Sequence, residues 1–276
     1  MIVRLISANR YTVGQLVEIY NQTRVDYLVP MPMSADRLAA YIHDYDVDLG
    51  GSVVALLDDE VAGLGMLGLR EKRSWITRLG VLPNNRRVGI GERILEKMLE
   101  NARALGATQS QLEVITGNDH AKSLFKKHGF LETGEYIVFR RAPDPSIAPP
   151  GGTLTRLDKE QALERLRFAP RQTWINEFKS MSNASDVFSI NLTLDDGSHG
   201  WVIFRRKIPT LSHIILHTEH GDPAVVGMKL LAHLHLLHPR LDTYAENIHD
   251  TDAHIPAYLS LDYFEAFRRT EMGLLL

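Results

Sequence analysis

The stretch RRVGIG, Arg86 to Gly91, sets two guanidinium groups beside two glycines one residue apart, and a helical pattern ending in LENARALG follows at once. Glycine leaves main-chain N–H groups uncovered. The first turn of a helix adds unpaired N–H groups and the positive end of its dipole. Together they make a seat for phosphate or pyrophosphate, and arginine adds donors suited to its oxygens. An ordinary left-handed turn with two solvated arginines would use the same letters, so a second motif is needed. Two other phosphate motifs fail on spacing. A P-loop needs G-x-x-x-x-G-K-[ST], which is absent, and a dinucleotide fingerprint needs glycine where the chain has Ile94. The second chemical candidate is Glu113 in QLEVI. Strand alternation puts Leu112 and Val114 on one face and Glu113 on the other, where a carboxylate can serve as general base. A solvated edge carboxylate is the plainer alternative.

The surrounding pattern supplies elements to position these groups. IVRLIS reads as a strand, and TVGQLVEIYNQTR as a helix with Thr12 as N-cap. SADRLAAYIHDYD reads as a second helix capped by Ser34. SVVALLD, VAGLGMLGLR and SWITRLGVL read as three strands, the first two joined through Asp58, Asp59 and Glu60. The helix after the glycines, the strand QLEVI, a short helix ending at Gly129 and the strand FLETGEYIVFRR complete the first half. APDPSIAPPGG then reads as a semi-rigid linker. Beyond it the order of elements repeats faintly, clearest from the three central strands onward. A long helical stretch from Asp158 to Met181 is interrupted at Pro170. The expected division is residues 1–142, a linker at 143–152, and a duplicated half at 153–276.

Composition sets the outer bounds. The 276 residues suffice for two domains, and 44% hydrophobic with 24% charged residues describes a globular chain. A net charge of −3 offers no basic excess for nucleic acid, and with no cysteine there is neither disulfide nor thiol nucleophile. No apolar run reaches the roughly 20 residues of a membrane span, so a cytoplasmic location is expected.

The run R-x-x-G-x-G directly after RLGVLP resembles the acetyl-CoA pyrophosphate loop of the GNAT superfamily of N-acetyltransferases. LEVITGNDHAKSLFKKHGF is similar to that family's strand, asparagine, short helix and Gly-Phe ending. The resemblance covers most of residues 1 to 142. It implies an α/β fold whose twisted, mostly antiparallel mixed sheet is flanked by helices, with the fourth and fifth strands splayed. Acetyl-CoA would lie in the splay, against the backbone of Leu79 and Val81, with its pyrophosphate on Arg86, Arg87, Val88, Gly89, Ile90 and Gly91. Asn118 matches the asparagine that contacts the cofactor arm, and Phe125 stands in the same helix beside it. Val81 would also donate its N–H to the oxyanion. A related glutamate in the ribosomal-protein acetyltransferases of the family makes Glu113 the expected base, with Glu71 as second choice. Asp26 and Tyr27 would face the acceptor amine. The pattern departs from the family at Phe125, where a tyrosine usually serves as general acid.

The second half has no R-x-x-G-x-G. HTEHGDPAVVG carries Glu219 and Asp222 at the matching place, which disfavours pyrophosphate, although Asp222 and Pro223 make a good helix start. This half is expected to be a degenerate copy without cofactor, shaping the acceptor side or mediating self-association as a homodimer. Nine of the twelve histidines lie there. His213 with His217, on one strand face, and His235 with His238, on a helix, have spacings that permit a metal, but no carboxylate set supports one and none is expected. The leading function is acetyl-CoA-dependent acetylation of a primary amine on a small molecule or peptide, by direct attack in a ternary complex. The alternative is a non-catalytic acyl-CoA-binding sensor or scaffold; a nucleotide-binding role is disfavoured by the missing P-loop lysine.

Overall fold

A computed structural model describes residues 2–169 and 172–276. Ten elements occur twice in the same order. The first set is β1 (Val3–Ser7), α1 (Val13–Gln22), α2 (Ala35–Asp44), β2 (Val47–Leu57), β3 (Glu60–Arg70), β4 (Arg73–Val81), α3 (Ile90–Ala104), β5 (Gln109–Ile115), α4 (Asp119–Lys127) and β6 (Leu131–Arg141). The second is β7 (Thr153–Leu157), α5 (Lys159–Phe168), α6 (Phe178–Asn183), β8 (Val187–Thr193), β9 (His199–Lys207), β10 (Thr210–His220), α7 (Pro223–Leu237), β11 (Asp242–His249), α8 (Ile255–Leu259) and β12 (Phe264–Leu275). The repeat therefore starts at the first strand, earlier than the sequence pattern suggests. The stretch expected to be helical over 158–181 resolves into α5 and α6, and the expected break at Pro170 lies outside the described residues.

Contacts divide the chain into two compact units that differ from the chain-order halves. The first holds Met1–Thr133 together with Thr270–Leu276, and the second holds Gly134–Arg269. The proline-rich stretch at 142–152 thus lies inside the second unit. In the first unit the strand order is β1-β2-β3-β4-β5-β12, and in the second β6-β11-β10-β9-β8-β7. The last residues of the chain complete the first sheet: Leu276 donates to the Thr108 carbonyl at 2.9 Å, and Met272 and Leu274 enter that unit's core.

In the first unit β1 to β4 pair antiparallel in sequence, and β4 pairs parallel with β5. β2 and β3 are buried almost throughout, as strands covered on both faces are. Thr12 and Ser34 cap α1 and α2 as expected. One face of α3 buries Ile90, Ile94, Leu95, Met98, Leu99 and Ala102 against the sheet. Two residues of β3 permit that approach. A Cβ on Gly65 would stand 2.6 Å from both Ile94 and Met98, and one on Gly63 would stand 3.0 Å from Ile94 Cδ1. The opposite face of the sheet receives α1. There a Cβ on Gly80 would stand 2.6 Å from Thr23 Oγ1, so α1 also sits close.

Candidate functional site

The parallel pairing of β4 and β5 is confined to Arg73↔Gln109, Ser74↔Ser110 and Trp75↔Gln111. Beyond Trp75 the ladder stops, as expected for splayed strands. β4 also carries a bulge, in which Thr77 and Gly80 pair with Met66 and Leu64 and leave Arg78 at φ 54°. Past the bulge, Leu82 donates to the Ala62 carbonyl on β3 at 2.9 Å. By alternation the N–H and carbonyl of Val81 turn the other way, into the splay. The Val81 carbonyl indeed accepts from Arg86 Nε at 3.1 Å, and the Leu79 carbonyl from Arg24 Nη2 at 2.9 Å.

The glycine loop stands at the mouth of the splay. Gly89 takes φ 84° as N-cap of α3, and a Cβ placed there would meet nothing within 4 Å. Arg87 is also left-handed, at φ 66°. The Arg93 N–H donates to the Gly89 carbonyl at 3.1 Å to open the helical ladder, so the N–H groups of Ile90, Gly91 and Glu92 precede it. Gly91 faces inward, its Cβ position lying 3.5 Å from Val81 Cγ2 and 4.0 Å from Leu79 Cδ2. Val88 is exposed beside it. Glu92, the acid of the first turn, is turned aside by Lys127 at 2.5 Å and His128 at 3.2 Å; the Lys127 bond, then that of His128, holds its carboxyl below the usual range. Arg86 grips the Asp26 carboxylate with both terminal nitrogens, each at 2.7 Å. That bond holds Asp26 below the ordinary carboxylate range and raises Arg86. A guanidinium so placed can take two oxygens of a phosphate in the same way. The uncovered glycines and the splay leave room for the rest of such a group, so the residues present fit a CoA-type ligand.

On the other face of the splay lies a polar cluster bounded by α1 and α2. Glu113 Oε2 accepts from Trp75 Nε1 at 2.7 Å. Tyr41 packs on Trp75 at 5.9 Å and its hydroxyl lies 2.5 Å from Thr77 Oγ1. Burial raises the Tyr41 hydroxyl, against the lowering effect of the Arg78 charge. The Arg78 guanidinium stands over the Tyr41 ring at 4.4 Å and donates to Tyr20 OH at 3.3 Å. A proton acceptor, a cation and aromatic walls thus adjoin the open edge of β4.

Of the residues expected from sequence, the structure brings together Leu79, Val81, Arg86 to Gly91, Asn118, Asp26 and Tyr27. Asn118 caps α4 through Ala121 N, and its Nδ2 reaches Tyr27 OH at 3.4 Å. Phe125 is buried in the core, edge-on to Phe130 at 5.9 Å. Glu71 stands apart: it is exposed in the tight turn between β3 and β4, at the end where β4 and β5 are still paired. Several residues escaped the sequence reading, among them Tyr41 and Arg78 of the polar cluster. Arg24 and Trp75 bear on the splay through long-range contacts that have no local signature. Glu271 comes from the far end of the chain. Met272 and Leu274 point into the core, so Glu271 takes the other face of β12, next to β5, where it is buried and accepts from Thr133 Oγ1 at 2.8 Å.

The second unit keeps the splay, since β10 and β11 pair only at Thr210↔Asp242 and Leu211↔Thr243. Its helix start differs. Asp222 caps α7 through Ala224 N at 2.9 Å, and a Cβ on Gly221 would stand 2.5 Å from Ser198 Oγ. Glu219 pairs with Arg165 at 2.9 Å. Where Val81 stands in the first unit, Thr218 Oγ1 bonds His254 Nε2 at 3.0 Å, and His254 Nδ1 lies 2.9 Å from Asp252. A bulge at His213, with φ 53°, breaks the alternation that would place His213 and His217 on one face. His235 is buried against the Tyr263 hydroxyl at 2.8 Å. Among the described residues, the group with metal-ligand spacing is Glu92, Glu96 and His128, in which Glu92 is already paired with Lys127. No helix among them is long and apolar enough to cross a membrane.

Residues 16–130 match the model of the acetyltransferase (GNAT) family. No curated protein matches the chain. A GCN5-related N-acetyltransferase from Sphaerobacter thermophilus superposes with a TM-score of 0.75 at 15% identity, over 99% of this chain and 95% of that one. A tandem GNAT protein from the clavulanic acid biosynthesis pathway superposes with a TM-score of 0.67 at 15% identity, over 99% and 98%. At this identity the likeness is one of fold, and it extends the tandem architecture over the whole length.

Proposed function

We propose that this chain, whose residues 16–130 match the acetyltransferase (GNAT) family model, is an acetyl-CoA-dependent N-acetyltransferase acting on a primary amine of a small molecule or peptide. The observation that carries the reading is the splay. The open edge of β4, the uncovered start of α3 and the Glu113 carboxylate converge on it from three sides.

In this reading Arg86, Arg87 and the N–H groups from Val88 to Gly91 hold the pyrophosphate, and the backbone of Leu79 and Val81 lines the arm, with Asn118 beyond it. Acetyl-CoA supplies an acyl group activated as a thioester. The Val81 N–H, aimed into the splay, donates to the oxyanion as the amine adds to the carbonyl. Glu113 takes the proton that the amine loses, since an alkyl amine is protonated at neutral pH and must be freed to attack. Trp75 fixes the direction of that carboxylate. Transfer is direct, within a ternary complex, with the acceptor on the α1–α2 side by Asp26 and Tyr27. With Phe125 in place of a hydroxyl, the CoA thiolate leaves without a proton from that position; a thiol of pKa near 8.5 permits this. We assign this chemistry to the first unit. The second is a degenerate copy, since a capping carboxylate and Ser198 stand where the glycine loop would.

A second reading, an acyl-CoA-binding sensor or scaffold, is favoured by one observation: Phe125 lies buried in the core and offers no proton. Thiol release from acetyl-CoA with a panel of primary amines, followed by mass detection of the acetylated product, separates the two. Acetylated product supports the enzyme. Tight CoA binding with no product from any amine supports the sensor.

A further inference from the structure

Several groups expected to hold the donor are engaged by one short segment, Thr23 to Tyr27. Arg86 holds the Asp26 carboxylate through two bonds of 2.7 Å and reaches the Thr23 carbonyl at 3.3 Å. Arg24 donates to the Leu79 carbonyl at 2.9 Å. Its guanidinium lies 4.3 Å from the centre of the Tyr27 ring, and the Tyr27 hydroxyl is the group that Asn118 reaches. The matching is chemical as well as spatial. A carboxylate and a phosphate present similar paired oxygens to a guanidinium. A guanidinium N–H and an amide N–H make the same bond to a strand carbonyl.

We propose that Thr23 to Tyr27 is a built-in stand-in for the donor: Asp26 occupies the phosphate position on Arg86, and Arg24 the amide position on Leu79. The proposal rests on the reading of this loop as an acyl-CoA site. Donor binding then requires the segment to let go, and letting go delivers Asp26 and Tyr27 to the acceptor side. The latch is weak enough to yield. The side chains of Asp26 and Arg86 are 53% and 37% exposed, and pairs so open to water contribute little. A pyrophosphate brings more charge to the same arginine, and it also meets the first N–H groups of α3, which Asp26 does not.

The test is titration calorimetry of the full chain with CoA and with inorganic pyrophosphate, for the parent and for Asp26→Asn. The variant loses the competing charge and should bind both ligands about two- to fivefold tighter, the range in which exposed pairs fall. Hydrogen exchange gives a second readout. Peptides covering residues 23–28 should exchange faster when CoA is added to the parent, and equally fast in Asp26→Asn without it. If the parent binds CoA but the variant binds no tighter, or exchange in the segment is unmoved by CoA, the stand-in is overturned while the cofactor site survives. If neither protein binds CoA, the reading of the loop falls and takes the stand-in with it.

Discussion

Gly91→Ala should separate stability from function in opposite directions. Gly91 is the second residue of α3, and a Cβ there meets Val81, Leu124 and Leu79 at 3.5 to 4.0 Å, ordinary contact distances. Nothing in the fold therefore demands glycine. Replacing glycine by alanine within a helix stabilises by roughly 0.5–1 kcal/mol. For a unit of this size, that is a rise in Tm of about 1–4 °C. The same methyl group, however, stands beside Leu79 and Val81 at the mouth of the splay, where a bound donor needs bare backbone. A loss of tenfold in CoA affinity corresponds to about 1.4 kcal/mol, and we expect at least that. Gly14→Ala is the control: it is also the second residue of its helix, α1, and its Cβ would meet only Thr12 Oγ1, at 3.8 Å. It should raise Tm similarly and leave CoA binding alone. Urea or thermal unfolding with titration calorimetry reads both quantities. A Gly91→Ala protein that is more stable and binds CoA as tightly as the parent would refute the placement of the donor against this face of α3.

Other expectations follow from the same geometry. Glu113→Gln should lower kcat about 10²–10⁴-fold with little change in CoA affinity, and the deficit should shrink at high pH, where free amine is plentiful; a pH-independent deficit removes Glu113 from the base role. Phe125→Tyr should leave turnover unchanged or raise it, and a large fall would show that the core around Phe130 rejects the hydroxyl. Each chain should bind one CoA by calorimetric stoichiometry; two sites would return a functional loop to the second unit. Acid should destabilise the second unit through His235, whose pKa burial, with the nearby Arg141 and His238, lowers to about 3. An unfolded histidine protonates near 6.5, so the stability carried by the neutral ring is complete above that pH. It falls by about 1.4 kcal/mol per unit between 6.5 and 3. His235→Gln should flatten the urea midpoint across that window, and an unchanged slope would count against it.

What the sequence disclosed was local. Thr12, Ser34 and Asp222 cap helices because a cap is decided within three residues, and Asp58 and Asp59 make a turn for the same reason. The glycine loop could be read because its chemistry lies in six consecutive residues. Glu71 stayed a second choice to Glu113 in the sequence, since nothing local tells which end of β4 opens; the ladder that stops after Trp75 puts Glu71 at the paired end. Arg24 and Trp75 act through partners 55 and 38 residues away, at Leu79 and Glu113. Glu271 belongs by chain order to the second half and by contact to the first unit. Pairing between distant strands follows from register and competition among edges, which no window of sequence contains.

The place of Thr270–Leu276 in the first unit has a consequence for how the protein is made. A ribosome that has released residue 133 still has 143 residues to add, from 134 to 276, before the strand beside β5 exists. At about 5–20 residues per second, that is an interval of roughly 7–30 s. Throughout it β5 presents an unsatisfied edge, the feature by which strands recruit foreign partners. The unit that carries the glycine loop is thus begun long before the strand that completes it is made, and a stop codon ahead of Thr270 would strand it incomplete.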